Sequence, residues 1–178
     1  MITSFLLVAG FAQTTLVRLV PEWASEWLGH VDWLMLVTVY IGLQRDPIRA
    51  LLTGVAAGVI HDLLSGANLT GVAGMSYILA AYVAHSVSSL FIVDSLIFRF
   101  VAVILSTITS TTVRLVFYSL MKITFPVLAG SDRVAAYYVL SIFVHLIAST
   151  LLFIPFDRLF QKRDALRQRR MEARRRKR

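Results

Sequence analysis

The fold is decided by residues 54–74, GVAAGVIHDLLSGANLTGVAG, a glycine-rich apolar stretch interrupted by one polar turn. Gly54, Gly58, Asp62 and Gly66 recur every four residues, a spacing that stacks them on one face of an α-helix. The residues between them are mostly apolar, so this helix carries a smooth groove with a carboxylate near its end. In lipid, such a groove lets a neighbouring helix approach backbone to backbone. The stretch therefore predicts a membrane helix, a turn and a second membrane helix.

The whole chain has the composition of an integral membrane protein. Its 178 residues are 57% hydrophobic, and the mean hydropathy of +0.73 exceeds that of ordinary soluble domains. Cysteine is absent, which excludes a disulfide framework, a thiol nucleophile and a thiolate metal site. Nucleophile triads, phosphate-binding loops and paired carboxylates are also missing from the sequence. We therefore predict no catalytic, cofactor or metal site, and a protein that is not an enzyme.

Six apolar segments follow one another along the chain, and they predict an all-α membrane domain of six transmembrane helices over residues 1–160. The first is interpreted as a retained span rather than a cleaved signal peptide, because it lacks a basic start and a small-residue cleavage site. The second is about 20 Å long as a helix, which is short for a hydrocarbon core of ~30 Å. It must either extend over residues 28–44 or be tilted and partly covered by neighbours. The six segments are residues 1–17, 31–43, 47–64, 72–93, 100–121 and 134–156.

The formal net charge of +8 is concentrated in residues 161–178, which hold ten basic and two acidic residues. This distribution predicts a cytoplasmic polybasic tail on a membrane protein and does not indicate nucleic-acid binding. Six spans place 14 basic residues on the side of the tail and three on the other side. The positive-inside rule then predicts that both termini are cytoplasmic. The candidate residues for binding anionic lipids are Arg167, Arg169, Arg170, Arg174, Arg175 and Arg176.

Asp62 and Arg114 are two of the charged residues inside the predicted spans, and both are expected in the outer half of the membrane. A charge that faces lipid costs about 2.5–3.5 kcal/mol even on insertion-based scales. We therefore expect an Asp62–Arg114 ion pair or a polar cavity shared by both residues. The alternative is that Arg114 reaches the outer headgroups alone. Six hydroxyl side chains in residues 106–112 are expected to bond to their own helix or to a neighbouring one.

Trp23 and Trp27 lie four residues apart in the loop that follows the first span. Tryptophans in such a position are typical of the aromatic belt at the level of the lipid headgroups. The alternative interpretation is a docking surface for a partner protein.

Residues 58–69, GVIHDLLSGANL, resemble the signature of the rod shape-determining protein MreD family, and Gly71, Gly74, Tyr77 and Tyr82 fit its second half. Chain length, the six short spans, the first outer loop and the basic C-terminus fit the same family. The resemblance implies a multi-pass protein of the bacterial inner membrane that belongs to the cell-elongation machinery. It also implies MreC, the actin-like MreB filament and peptidoglycan-synthesising enzymes as neighbours.

The same resemblance implies a likeness to the six-helix substrate-binding subunits of energy-coupling-factor vitamin transporters. Our interpretation is a scaffold whose glycine groove and outer loops hold a helix of another membrane protein. The expected assembly is a hetero-complex, which can contain a homo-oligomer of this chain. The alternative is a small-molecule-binding subunit of a vitamin transporter, with Asp62 and Arg114 in its pocket.

Overall fold

The protein is an all-α membrane protein, and its six helices fall on the six predicted segments. The computed structural model describes residues 2–19, 21, 31–65, 71–90, 96–121 and 131–175, and every regular element in these ranges is a helix. Three helices contain a stretch long and apolar enough to cross a membrane, and two shorter helical stretches are also apolar. The helices are α1 (Ile2–Leu19), α2 (Trp33–Gly42), α3 (Pro47–Ser65), α4 (Val72–Leu90), α5 (Leu96–Leu120) and α6 (Ser131–Arg175).

The short helix α2 lies at the centre of the bundle. It has ten residues, about 15 Å of helix, and nine of them are buried. It contacts all five other helices, which explains why its sequence is apolar on every side. The short second segment is therefore covered by its neighbours, as one of the two sequence interpretations requires.

The helices α3 and α4 form a hairpin and pack closely at two glycines of α3. An added Cβ at Gly58 would lie 2.1 Å from the Cα of Gly74, and one at Gly54 would lie 3.0 Å from the Cα of Ile78. Real Cβ atoms do not approach another atom as closely as 2.1 Å, so Gly58 requires glycine, whereas a Cβ at Gly54 would make an unusually tight contact that α4 would have to accommodate. The predicted groove is thus present, and the helix that lies in it is α4 of the same chain.

Hydroxyl groups of α5 follow both predicted patterns. The Ser106 hydroxyl donates to the Ala80 carbonyl of α4 at 3.0 Å. Thr107 and Thr109 each donate at 2.8 Å to a carbonyl one turn earlier in their own helix. These three hydroxyls are therefore bonded inside α5 or to α4, as a polar group within a membrane span requires.

At one end of the bundle, which we call the termini end, Asp157 of α6 is held by two other helices. Its carboxylate forms an ion pair with Arg99 of α5 and accepts a hydrogen bond at 3.0 Å from the Tyr40 hydroxyl of α2. Helix α6 then continues as one helix of 45 residues, with Pro155 inside it. It crosses residue 160 without a break, and the division between domain and tail at that residue stays a prediction.

Candidate functional site: a buried ion-pair network

The opposite end of the bundle, which we call the far end, carries a buried carboxylate at Asp32. This residue directly precedes α2, and its Oδ1 accepts a hydrogen bond from the Met35 amide at 3.0 Å. This is N-cap geometry, in which a side-chain oxygen satisfies an amide that the helix cannot pair itself. The residue is only 8% exposed, so its negative charge needs partners inside the bundle.

Arg114 supplies the positive partner. Its Nη2 donates to Asp32 Oδ2 at 2.5 Å, and its Nε donates to the Ser76 hydroxyl at 3.3 Å. The guanidinium carbon also lies 5.0 Å from the centre of the Tyr77 ring, within the range of a cation-π contact. Arg114 therefore joins α5 to α4 and to the start of α2.

Tyr77 of α4 completes the cage around the carboxylate. Its hydroxyl lies 2.6 Å from Asp32 Oδ1 and 2.5 Å from Oδ2, and its side chain is fully buried. The ring of His61 from α3 meets the Tyr77 ring edge-on, with the centroids 5.7 Å apart. A phenol in this position donates to a charged oxygen, which makes the hydrogen bond stronger than one between neutral groups.

His145 of α6 closes the network on the other side. Its Nε2 accepts a hydrogen bond from the Asp32 amide at 3.1 Å, and its Nδ1 lies 2.6 Å from the Ser141 carbonyl. Because a carbonyl oxygen can only accept, Nδ1 carries the proton and the ring is neutral in this arrangement. His145 is therefore held inside the bundle through both of its ring nitrogens.

The expected Asp62–Arg114 ion pair is wrong, since Arg114 pairs with Asp32. Asp62 instead accepts a hydrogen bond at 2.6 Å from the Gly71 amide, which fastens the end of α3 to the start of α4. Gly71 has φ = 97°, a conformation that favours glycine. Asp62 therefore stabilises the hairpin by joining α3 to α4. Because Arg114 is paired with Asp32, the alternative in which Arg114 reaches the headgroups alone is also wrong.

The expected partner site in the glycine groove also needs correction. Gly54 and Gly58 are in contact with α4 of the same chain, so at these two positions the groove has no room for a helix from another protein. Gly66, Trp23 and Trp27 lie outside the described residues. The same holds for the side chains of the tail arginines, so their predicted roles stay predictions.

A polar cavity of about 120 Å³ lies beside the ion pair and is lined by residues of α1, α3, α5, α6 and the start of α2. Two polar atoms of its wall, Gln13 Oε1 and His61 Nδ1, are buried and make no hydrogen bond within the described part of the chain. The Asp62 carboxylate is 3.9 Å from His61 Nδ1, which is beyond hydrogen-bond distance. Pockets for drug-sized ligands have roughly 300–1,000 Å³, so this cavity gives the vitamin-transporter alternative no support. The lining residues are Gln13, Val31, Asp32, Met35, His61, Ser110, Thr111, Arg114, Leu115, Tyr137, Ser141 and His145.

Sequence reasoning found Arg114 but missed Asp32, Tyr77 and His145 as its network. Asp32 lies at the start of the second predicted segment, and an aspartate directly before an apolar run is the usual signal for a helix N-cap. Tyr77 was noted only for the family resemblance. Nothing in the sequence indicates which carboxylate faces Arg114, because that depends on how five helices are rotated against one another.

Comparison with known proteins adds the identity of the family. Residues 1–163 match the family model described as rod shape-determining protein MreD. The chain belongs to the MreD family. No match was found among curated proteins or among solved structures, so the likeness to energy-coupling-factor subunits stays a prediction. Membership assigns the chain a role in rod shape determination, as a membrane protein associated with the shape-determining complex.

The family signature in residues 58–69 now has a structural reason at two of its positions. Gly58 permits the contact between α3 and α4, and Asp62 clamps the turn that joins them. Both residues act within the hairpin. At these two positions the signature therefore specifies the hairpin of α3 and α4, whereas the ion pair of Asp32 with Arg114 lies outside residues 58–69.

Proposed function

We propose that this protein is a non-enzymatic scaffold of the bacterial cell-elongation machinery, which binds MreC and connects it to peptidoglycan synthesis. The observation that carries the proposal is the family match over residues 1–163. The small volume of the polar cavity also favours a scaffold over a carrier of a vitamin-sized ligand. Partners are expected to be other membrane proteins of the elongation complex, with more than one copy of this chain allowed.

The test is replacement in a rod-shaped bacterium that lacks its own family member. The protein should restore normal cell width, and affinity purification in mild detergent followed by mass spectrometry should recover a single-span membrane protein. Recovery of a tightly bound metabolite without a protein partner would contradict the scaffold. Restoration of shape without any co-purified membrane protein would contradict the proposed contact with MreC.

We place the protein in the inner membrane with both termini in the cytoplasm, as the distribution of basic residues indicates. The far end then faces the periplasm. A reporter fused after Arg178 should read cytoplasmic and one inserted at Ala67 should read extracytoplasmic. A cytoplasmic signal at Ala67 would overturn this orientation.

The partner contact is proposed for the far-end loops, with Trp23 and Trp27 as the candidate residues. Trp23→Ala and Trp27→Ala should weaken co-purification of the partner, while Val139→Ala on α6, 69% exposed, is the matched change on the lipid-facing surface. If Trp→Phe changes at both positions are fully active and the alanine variants lose only membrane insertion, the tryptophans form a headgroup belt.

The basic tail is proposed to bind anionic lipids of the cytoplasmic leaflet. Each basic residue near such a surface contributes about 1 kcal/mol, reduced by salt. Removal of residues 164–178 leaves Arg158, Lys162 and Arg163 to hold the orientation, so insertion should survive and cell elongation should fail. Unchanged elongation at native expression would contradict a role beyond anchoring.

A further inference from the structure

The polar cavity at the far end has features that the hairpin and the ion pair do not explain. Gln13 Oε1 and His61 Nδ1 belong to its wall and are buried without a hydrogen-bond partner among the described residues. An unpaired buried polar atom is costly, so it needs a partner from outside the chain. Two such atoms in the wall of one cavity point to a shared occupant.

Hydroxyl groups of α5 also indicate that the cavity holds an occupant. Thr107, Thr109 and Thr112 donate to carbonyls of the preceding turn. Ser110 and Thr111 line the cavity and make no hydrogen bond to another described residue. The hydroxyls of Ser110 and Thr111 can both donate and accept hydrogen bonds, and they lie in the same cavity wall as Gln13 Oε1 and His61 Nδ1.

The charge balance limits the chemistry of the occupant. Arg114 is neutralised by Asp32, so the wall offers no net charge to attract an anion or a cation. The unpaired groups include acceptors as well as hydroxyls that can donate. The fitting occupant is uncharged, and it both donates and accepts hydrogen bonds. A cavity of about 120 Å³ has room for on the order of four water molecules, which take roughly 30 Å³ each in the liquid.

We propose that this cavity is a hydrated chamber, filled by a small cluster of water molecules that bind Gln13, His61 and the two free hydroxyls. The water also solvates the outer side of the Asp32–Arg114 pair, whose side chains are 11% and 24% exposed. Charged residues in membrane proteins are tolerated where they face such water. This inference does not depend on the proposed scaffold function.

The absence of cysteine from the chain makes the test direct. Ser110→Cys places a thiol in the wall of the chamber with almost no change in size. Ile108→Cys is the matched control, because Ile108 lies two residues earlier on α5, about 3 Å along the axis, and is 37% exposed on the outside of the bundle. The probe is 2-hydroxyethyl methanethiosulfonate, which reacts with the thiolate that forms only in contact with water.

In nanodiscs at pH 8, Ser110→Cys should react at least about tenfold faster than Ile108→Cys, and both should react equally after denaturation in detergent. Equal rates in the folded protein, or a faster reaction at position 108, overturn the proposal. Thr111→Cys serves as a second reporter if Ser110→Cys does not accumulate, and the same comparison with position 108 applies.

The unfolding midpoint of a Gln13 variant provides an independent test of whether the cavity is hydrated. Gln13→Met removes the unpaired amide and keeps the length of the side chain. In a dry cavity this change raises the unfolding midpoint, because an unsatisfied polar group is lost. In a hydrated chamber the amide is bonded to water, so the midpoint should stay the same or fall. A higher midpoint for Gln13→Met overturns the proposal.

Discussion

The Asp32–Arg114 ion pair gives the most specific prediction. The sequence favours Asp62 as the partner of Arg114, whereas the structure pairs Arg114 with Asp32. Asp32→Asn keeps an N-cap residue and an acceptor for Tyr77, so it removes the charge with little other change. Arg114→Gln removes the opposite charge. Each single change leaves one buried charge without its partner.

The expected loss follows from burial. Breaking a buried ion pair destabilises a protein by about 3–5 kcal/mol. The Arg114 side chain is 24% exposed, which allows some solvation of a stranded charge and places each single loss near ~3 kcal/mol, the lower end of that range. The double variant strands no charge, so its loss should be close to that of one single variant. The coupling energy of the cycle should then be about 3 kcal/mol, at the upper end of the range for residues in direct contact.

The assay is unfolding of the purified protein in mixed micelles, with free energies from the midpoint and slope of the transition. The control cycle combines Arg114→Gln with Asp62→Asn, since the Asp62 carboxylate binds the Gly71 amide and not Arg114. Its coupling should be much smaller. A large coupling to Asp62, or additive losses for Asp32 and Arg114, would refute the assignment of the pair.

Three further predictions concern stability and use the same unfolding assay. Gly58→Ala should cost about 1–3 kcal/mol, because its Cβ would overlap α4, whereas Gly74→Ala meets no atom within 4 Å and should be tolerated. Equal effects of the two changes would refute the close packing of the hairpin. Asp62→Ala should cost about 1.5 kcal/mol through the lost bond to the turn amide, and Asp62→Asn should keep most of it. At the termini end, Tyr40→Phe should cost about 1 kcal/mol through its lost bond to the α6 carboxylate, and no measurable loss would mean that this contact does not hold α6.

The helices could be predicted from the sequence because local signals determine them. Asp46 and Pro47 mark the start of α3, and the structure shows the Asp46 carboxylate accepting from the Arg49 amide at 3.1 Å. The four-residue glycine spacing predicts a close helix contact, which is present at Gly58. Such signals depend on neighbours within one or two turns, so they survive without knowledge of the fold.

The network could not be predicted, because it depends on rotation and depth of separate helices. Asp62 and Arg114 were correctly placed in the same end of the bundle, but depth does not say which side of each helix faces inward. In the structure the ring of His61 packs edge-on against the ring of Tyr77, a contact that the sequence does not indicate. The pairing is decided by α2, whose burial at the centre brings Asp32 to the guanidinium.

The polar contacts also explain how a bundle without a strong hydrophobic force between its helices reaches one arrangement. In lipid, apolar helix faces gain little by choosing one neighbour over another. The network at Asp32 joins the start of α2 to α4, α5 and α6, and Asp157 joins α6 to α2 and α5 at the opposite end. The glycine contact fixes α3 on α4 between them. Because a single helix rotation would break several of these bonds at once, the bundle is expected to present a fixed surface to its partners, as the proposed scaffold function requires.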